Sequence, residues 1–549
     1  ILIQGNGDLD GAIASYRQAL RVKPDFAEAY CNMGTAYKDK GDLEGAIDKY
    51  QMALNLNPQL HEVHNNIGIA LRDKGHLDAA IVSYKRAIDC KPDHAEFFSN
   101  MGVAQQDKSY FDEAMESYSR ALILQPDYAV AYSNRLFCMI SNPHQSRATI
   151  IDAHRDFAVR FEQPLRSFWP KHTNRVESER CLNVGFVSAD FKNHALAHFF
   201  EPTIKILCGL PNYTFYAYHN LAYEDGITPG IKKHFRHWRP VANLTDEQLS
   251  AKILEDEIDI LIDLSGHSAG NRLLAFARKP APVQVSWMGY PGTTGLQSMD
   301  YFMGPSFSLP PGECDDQFSE KIVGLPFTAS YLPNIEYPAV NTLPALTNGY
   351  ITFGSFFRPS KINREVVSVW SELLRAIPSA RLVMGGMLGD LEDNNFVKWF
   401  AEEGIDLGRI TFLARTDMSH YFPMHHRVDV CLAPFPYVGG TTISTALMMG
   451  VPTLVMNGGT LTSSGGAGRM HYVGHGEYIA ANEAEFIAKG VELSGDVEQL
   501  SRTRMALRDK TFHSYNDTEL MRFSMDKAFR TMWGRWCEGL EPIALEVEV

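Results

Sequence analysis

Apolar positions along this chain follow two rhythms, and the change between them falls near residue 140. Up to that point the spacing is helical, set inside a longer period of 34 residues. Proline recurs at Pro24, Pro58, Pro92 and Pro126. In phase with it stand Gly7, Gly41, Gly75 and Ser109; Ala12, Ala46, Ala80 and Ala114; and Tyr16, Tyr50, Tyr84 and Tyr118. From Cys181 short β-branched and aromatic runs alternate with helical stretches. Strands are predicted over 182–187, 214–218, 258–264 and 283–288, with a helix from about Leu196. The 258–264 run is almost continuously apolar, as in a parallel strand buried on both faces. A second series is predicted over 350–353, 381–384, 410–413, 428–432 and 453–456. After its first strand, Ile362, Val366, Val367, Trp370, Leu373 and Leu374 mark one face of a helix.

Small residues let paired helices approach, an aromatic fills the gap and proline ends the second helix. That is the tetratricopeptide pattern, in phase across several columns. The first repeat lacks its first helix, because residue 7 is already a turn, so further repeats are expected before Ile1. One more column, Asn32, Asn66, Asn100 and Asn134, has no packing reason to recur on a helix. Amides on an inner face can bind a peptide backbone; the alternative is that each sets the turn geometry of its own repeat. Between residues 141 and 180 the period is lost. This stretch, with a helix over 148–161, is read as a linking segment. The expected architecture is an α-solenoid over 1–140, then two Rossmann-like α/β domains over 181–345 and 346–549. The boundary falls in the Pro-rich stretch 333–348. The last helix, 520–536, carries Phe523, Phe529, Met532, Trp533 and Trp536 and is expected to return to the first of these domains.

Composition narrows the partners. The 549 residues hold 45% hydrophobic and 21% charged side chains, ordinary for a globular protein. No apolar run reaches membrane-spanning length. A formal charge of −14 argues against broad binding of nucleic acid or anionic membrane. Eight scattered cysteines, with no C-x-x-C pair, fit free thiols in a reducing, cytoplasmic compartment. The only Asp-x-Asp is Asp8 and Asp10, in a repeat turn, so no metal site is expected.

The chemistry gathers in loops that end strands. Arg358 and Lys361 crowd two cations where a helix begins, against its positive end. An anion such as a diphosphate between them would explain this; an exposed basic loop is the alternative. The stretch 434–442 closes with Gly439-Gly440-Thr441-Thr442, bare backbone and two hydroxyls at a helix start. It reads as a diphosphate cradle or as an ordinary N-cap by Thr441. Two further loops are 190–194 with His194 and His198, and 288–295 with Pro291 and Gly292, where glycines allow close approach of backbone to a ligand. His425-His426 are adjacent, hence on different faces, and read as structural.

Tetratricopeptide repeats joined to these loops resemble glycosyltransferase family 41, the protein O-GlcNAc transferases and their SPINDLY relatives. The resemblance rests on 184–194, 258–295 with Arg-Lys-Pro-Ala-Pro-Val-Gln inside it, 353–363 and 435–442, and it covers essentially the whole chain. The stretches 353–356, 434–442 and 504–508 look closer to bacterial SPINDLY-type members than to the animal enzyme. The family implies a GT-B fold, a nucleotide-sugar donor and inverting transfer, without a metal, to Ser or Thr of proteins held by the repeats. By position Lys361 matches the family's diphosphate lysine, Thr441 and Thr442 its phosphate-binding threonines, and His194 the histidine facing donor and acceptor.

Departures from the family pattern concern the donor. Gly440 stands where the animal enzyme has histidine, Thr445 where an aspartate meets the ribose, and Arg358 where the family has glutamine. The base-recognition segment 415–426, with Thr416, and the loop 457–467 are also altered. The resemblance therefore implies transfer of GlcNAc from UDP-GlcNAc, with fucose from GDP-fucose as the same-fold alternative. A peptide-binding scaffold carrying an inactive transferase domain is the alternative of another class. Self-association is left open.

Overall fold

The computed structural model describes residues 8–329, 331, 336–387 and 395–548. Gly7 and Pro333 lie outside the described residues. One compact unit comprises the repeats, to Met139, and another the α/β part from Ile140.

The repeats are antiparallel helices: α1 (Leu9–Val22), α2 (Ala27–Asp39), α3 (Leu43–Leu56), α4 (His61–Asp73), α5 (Leu77–Cys90), α6 (Ala95–Asp107), α7 (Phe111–Leu124) and α8 (Ala129–Ser141). The tyrosine column is buried over a glycine column. A methyl placed on Gly34, Gly68 or Gly102 would lie 2.6, 2.5 or 2.7 Å from the ring of Tyr50, Tyr84 or Tyr118. Only glycine admits the ring there, which is how one local contact fixes the packing of each pair. The turn column has a backbone cause: Gly41, Gly75 and Ser109 have φ of +83°, +86° and +62°. Ser109 alone carries a Cβ in that left-handed conformation, which costs about 1–2 kcal/mol. Ser109→Gly should therefore stabilise the repeats, by about 0.5–1 kcal/mol after glycine's greater loss of chain entropy. Amide exchange of α6 and α7 in the full chain measures it; faster exchange in the variant would show that the serine is not strained.

The asparagine column bonds between repeats. Asn100 Nδ2 donates to Asn65 Oδ1 at 3.0 Å, Asn134 Nδ2 donates to Ser99 Oγ at 3.3 Å, and Asn66 bonds the Cys31 thiol. Each amide thus reaches the neighbour preceding it in the stack, not its own repeat, which corrects the turn-setting alternative. All four asparagines stay half-exposed.

The α/β unit holds two sheets. The first runs β14-β7-β6-β5-β4-β1-β2-β3: β1 (Leu182–Ser188), β2 (Tyr213–His219), β3 (His237–Pro240), β4 (Ile260–Asp263), β5 (Val283–Trp287), β6 (Tyr301–Pro305), β7 (Lys321–Leu325) and β14 (Leu545–Glu546). The second runs β10-β9-β8-β11-β12-β13: β8 (Thr352–Ser355), β9 (Arg381–Met387), β10 (Ile410–Ala414), β11 (Val430–Leu432), β12 (Thr453–Met456) and β13 (Ile479–Ala480). The first sheet is parallel throughout, for example Val184 opposite Phe215 on one side and Ile260 on the other. Strand order reverses between β1 and β4, and between β8 and β11. Loops leaving the carboxyl ends at such switch points form a binding crevice.

Helix α9 (Arg147–Phe161) does not merely link. His154 and Phe157 are buried in the α/β unit, and buried Glu162 accepts from the backbone N–H of Gln297 and Ser298 at 3.0 and 2.6 Å. The connection 336–344 packs on the second domain: Arg504, fully buried on α14 (Val497–Tyr515), donates to the carbonyls of Asn341, Val428 and His425, and Arg508 binds Met448 O and Pro338 O. Helix α15 (Thr518–Cys537) returns to the first sheet. Met521, Met525, Phe529, Met532 and Trp533 share a core with Phe186, Phe200 and Val283, while Phe523 faces outward, half-exposed.

Candidate active site

Both switch-point loops of the second sheet meet at one helix start. After β8 the chain makes a tight turn, Pro359–Lys361, before helix α11 (Arg364–Ala376). The predicted face of α11 is buried as expected, but its own N-terminus is not the anion site. Asn363 caps it, its Oδ1 accepting from Val366 N at 2.8 Å. Asn363 Nδ2 also donates to Phe435 O, tying this loop to the one after β11. Lys361 instead reaches across to helix α12 (Gly440–Met448). Its Nζ lies 3.8 Å from the centroid of the Tyr437 ring, and 3.1 Å from where a Cβ on Gly439 would stand.

Gly439, not Thr441, occupies the N-cap position of α12 and offers no side chain to cap it. The first-turn N–H groups of such a helix lack intrahelical partners and carry partial positive charge. Thr441 and Thr442 are half-buried beside them, the second bonded to the Tyr421 hydroxyl. Burial, and then Arg358, lower the Lys361 pKa to about 7. A half-buried lysine on the verge of neutrality, against a bare helix start, is poised for an anion that would restore its charge.

The first sheet contributes from the other side. His194 caps helix α10 (Ala195–Leu207), its Nδ1 accepting from Leu196 N at 3.3 Å, with Asp190 Oδ2 at 3.4 Å. Burial lowers its pKa, Asp190 opposes that, and Lys192 and Arg358 add to it. Nδ1 meets both a backbone N–H and the Asp190 carboxylate, so Nε2 is left to face a ligand, as a donor when Nδ1 accepts and as an acceptor when Nδ1 donates to Asp190. His198 stands edge-on to Tyr331.

The 288–297 loop is a fixed platform. Tyr290 Oη bonds His154 Nε2 at 2.8 Å, and buried Glu320 accepts from Thr293 Oγ1 at 2.6 Å and Thr294 N at 2.8 Å. Gly295, at φ +79°, packs on the His154 carbonyl. Pro291 and Gly292 are half-buried at its tip. Tyr290 and Tyr437 lie near enough to oppose each other's ionisation, so this loop and the 434–439 loop converge from the two domains.

Two expected donor contacts fall elsewhere. Thr445 is fully buried and its hydroxyl donates to Tyr331 Oη at 3.3 Å, so it does not present an oxygen to a ribose. It lies beyond the first turn of α12 and faces the core. Thr416 is exposed after β10, just before Asp417 caps the helix Met418–Met424. His425 is buried against Phe356, and His426 bonds Ala339 O, both structural roles.

Besides Glu320, a further residue was not singled out from sequence. Arg469, on helix α13 (Leu461–Tyr472), lays its guanidinium against Gly440: Nη2 is 2.9 Å from where a Cβ would stand. A lone arginine in a glycine-rich helix gave no signal of this.

Two parallel α/β domains whose switch-point loops close on a cationic helix start define a GT-B transferase fold. The chain belongs to glycosyl transferase family 41: the family model matches residues 137–332 and 340–525, and a TPR repeat model matches 6–41, 34–72 and 69–109. SPINDLY proteins of Petunia hybrida and Arabidopsis thaliana carry the name "probable UDP-N-acetylglucosamine–peptide N-acetylglucosaminyltransferase". They are 34% and 33% identical over 425 and 430 residues, 76% of this chain and 45% and 46% of theirs. The chain thus spans about half the length of the curated relatives it matches. A mutant of the Thermobaculum terrenum O-GlcNAc transferase superposes with a TM-score of 0.86 at 28% identity, covering 93% of this chain and 98% of that one. Among the described residues no helix is long and apolar enough to cross a membrane.

The low pKa of Lys361 has a measurable consequence. An anion at α12 raises it, so the bound state holds more protons than the empty site above pH 7. Diphosphate affinity should fall as pH rises above about 7, approaching tenfold per unit, with proton uptake on binding. A phosphate's own second ionisation, near 6, is complete by then and does not mask the effect. Calorimetry in two buffers of different ionisation enthalpy reads the uptake; a pH-independent affinity between 7 and 9 would contradict the assignment.

Proposed function

We propose that this chain is a protein O-glycosyltransferase that moves GlcNAc from UDP-GlcNAc to Ser or Thr hydroxyls of proteins held by its repeats. The observation that carries this is Lys361 at the uncapped start of α12, in a chain of glycosyl transferase family 41. The acceptor oxygen attacks C1 of the sugar on the face opposite the diphosphate, and as the bond forms its proton passes, through water, to a donor phosphate oxygen. The C1–O bond breaks and its electron pair stays on the diphosphate. Lys361 and the α12 N–H groups stabilise that growing charge, most strongly in the transition state. His194 is a positioning group for donor or acceptor, or a base, through Nε2. No metal is required in this scheme, because lysine and the helix dipole take the place of a cation. The names of the relatives support UDP-GlcNAc as donor. The half-exposed asparagine column, Asn32, Asn66, Asn100 and Asn134, supports the repeats as the acceptor-binding part. Eight unpaired thiols support a reducing compartment, hence the cytoplasm.

The test is a thermal-shift and calorimetric screen of the full chain with UDP, GDP, UDP-GlcNAc and GDP-fucose, with and without EDTA, followed by transfer to a Ser/Thr peptide. UDP and UDP-GlcNAc should bind equally well in EDTA, and GlcNAc should appear on the peptide with inverted C1. Preference for GDP and GDP-fucose would replace the donor. Donor binding without turnover would favour a peptide-binding scaffold, and loss of binding in EDTA would refute the metal-free scheme.

A further inference from the structure

The guanidinium of Arg469 fills the space beside Gly440 where a side chain would project. Nη2, Nε and Cζ lie 2.9, 3.0 and 3.2 Å from an ideal Cβ on Gly440. Residue 440 opens α12, so this space lies against the helix start that Lys361 approaches at Gly439. The chain therefore brings two cations, from two different elements, to adjacent glycines of one uncapped turn.

Arg469 is held there by weak or neutral partners. Nη1 donates to Ser444 Oγ at 2.9 Å, and the guanidinium stands 4.9 Å from the centroid of the Phe199 ring on α10. Tyr331 lies close enough to feel its charge, and the Tyr515 hydroxyl bonds the guanidinium. Its Nε is buried with no acceptor, and its contacts among the described residues are to hydroxyls and an aromatic ring, not to a carboxylate. A half-buried guanidinium without a counter-charge is costly, and the cost is relieved when an anion supplies the missing acceptor. Its planar fork suits phosphate oxygens better than an ammonium would.

We propose that Arg469 is a donor-binding residue, the second cation of the diphosphate site, standing in the place left by the absent side chain at Gly440. This rests on the reading of α12 as the donor-phosphate site. Gly440 is then required because any side chain there would displace the guanidinium. The stacked Phe199, the fifth residue of the helix that His194 caps, connects this cation to the first domain.

The experiment measures affinities of the full chain for UDP and uridine, or GDP and guanosine if wild type prefers guanine, at two salt concentrations. Arg469→Gln should weaken the diphosphate by about ten- to a hundredfold, the range for a lost hydrogen bond to a charged group, and flatten its salt dependence. Nucleoside affinity should stay within about twofold, and Arg469→Lys should recover part of the loss. Gly440→Ala should weaken the diphosphate similarly, and Gly440→Ala with Arg469→Gln should be no weaker than Arg469→Gln alone. A folded Arg469→Gln variant with unchanged diphosphate affinity overturns the proposal. So does an equal loss for nucleoside and diphosphate, which marks a structural role, or additive losses in the double variant. If wild type binds no nucleoside diphosphate, the donor reading itself fails, a result separable from all of these.

Discussion

Replacing Lys361 with methionine should lower kcat by about 10²- to 10³-fold, on the order of 3–4 kcal/mol of lost transition-state stabilisation. The methionine keeps much of the stem that packs against Tyr437 and deletes the ammonium. That ammonium meets more negative charge as the C1–O bond breaks than it does in the bound donor, so rate should suffer more than affinity. Nucleotide affinity should fall less, because the α12 N–H groups and Arg469 still face the phosphates. Stability should move the other way. In the empty site Lys361 is a cation held out of water next to Arg358, so the variant should melt no lower than wild type, and its nucleotide affinity should lose the decline above pH 7. Kinetics, calorimetry and melting of one variant check all three. A folded protein with near-normal kcat would remove Lys361 from the chemistry.

A large loss of stability should come from Gly295→Ala. Here φ is +79°, and a Cβ would stand 2.0 Å from the His154 carbonyl oxygen and 2.6 Å from its carbon. Backbone lies on both sides of the clash, so no rotamer relieves it. The left-handed conformation costs about 1–2 kcal/mol and overpacking about 1–3 more. A total of about 2–5 kcal/mol should be accompanied by weaker nucleotide binding, since α9 must retreat and break the His154–Tyr290 bond that holds the platform. Gly349→Ala is the control: its φ is +74° but nothing lies within 4 Å of its Cβ, so it should cost only the conformational part. Thermal melts of the two variants side by side decide it. Equal small losses would mean that α9 is free to move.

Much of this was legible from sequence, and the division follows from where the signal resides. The repeats were readable because the Tyr-on-Gly contact and the positive-φ turn recur at fixed offsets. Strands such as β1, β4 and β12 were readable because β-branched residues buried on both faces leave continuous runs. β3, with the sequence His-Trp-Arg-Pro at a sheet edge, and β14, two residues long, have no such run; pairing with a neighbour makes them strands. β6 and β7 are short and likewise went unread. At the site, Lys361 and Gly439–Thr442 stood out because their residue types suit one ligand chemistry. Thr445 misled because a position in a motif does not say which way a helical side chain faces. Arg469 and Glu320 went unseen because each acts through a partner distant in the chain. The role of α9 was hidden for the same reason: only Tyr290 and Gly295, more than a hundred residues on, give His154 a function.

The return of α15 and β14 to the first sheet sets the order in which this protein can be finished as it is made. The ribosome delivers β7 about 190 residues before it delivers Thr518, a wait of roughly 10–40 s at ordinary rates of synthesis. Throughout that interval the sheet face that Phe529, Met532 and Trp533 will cover is open, and so is the β7 edge that Leu545 will pair with. The second domain, its connection already clamped by Arg504 and Arg508, can be complete first. The domain that emerges earlier is therefore the one completed last, its first sheet left with an open face and edge while the remainder is still being translated.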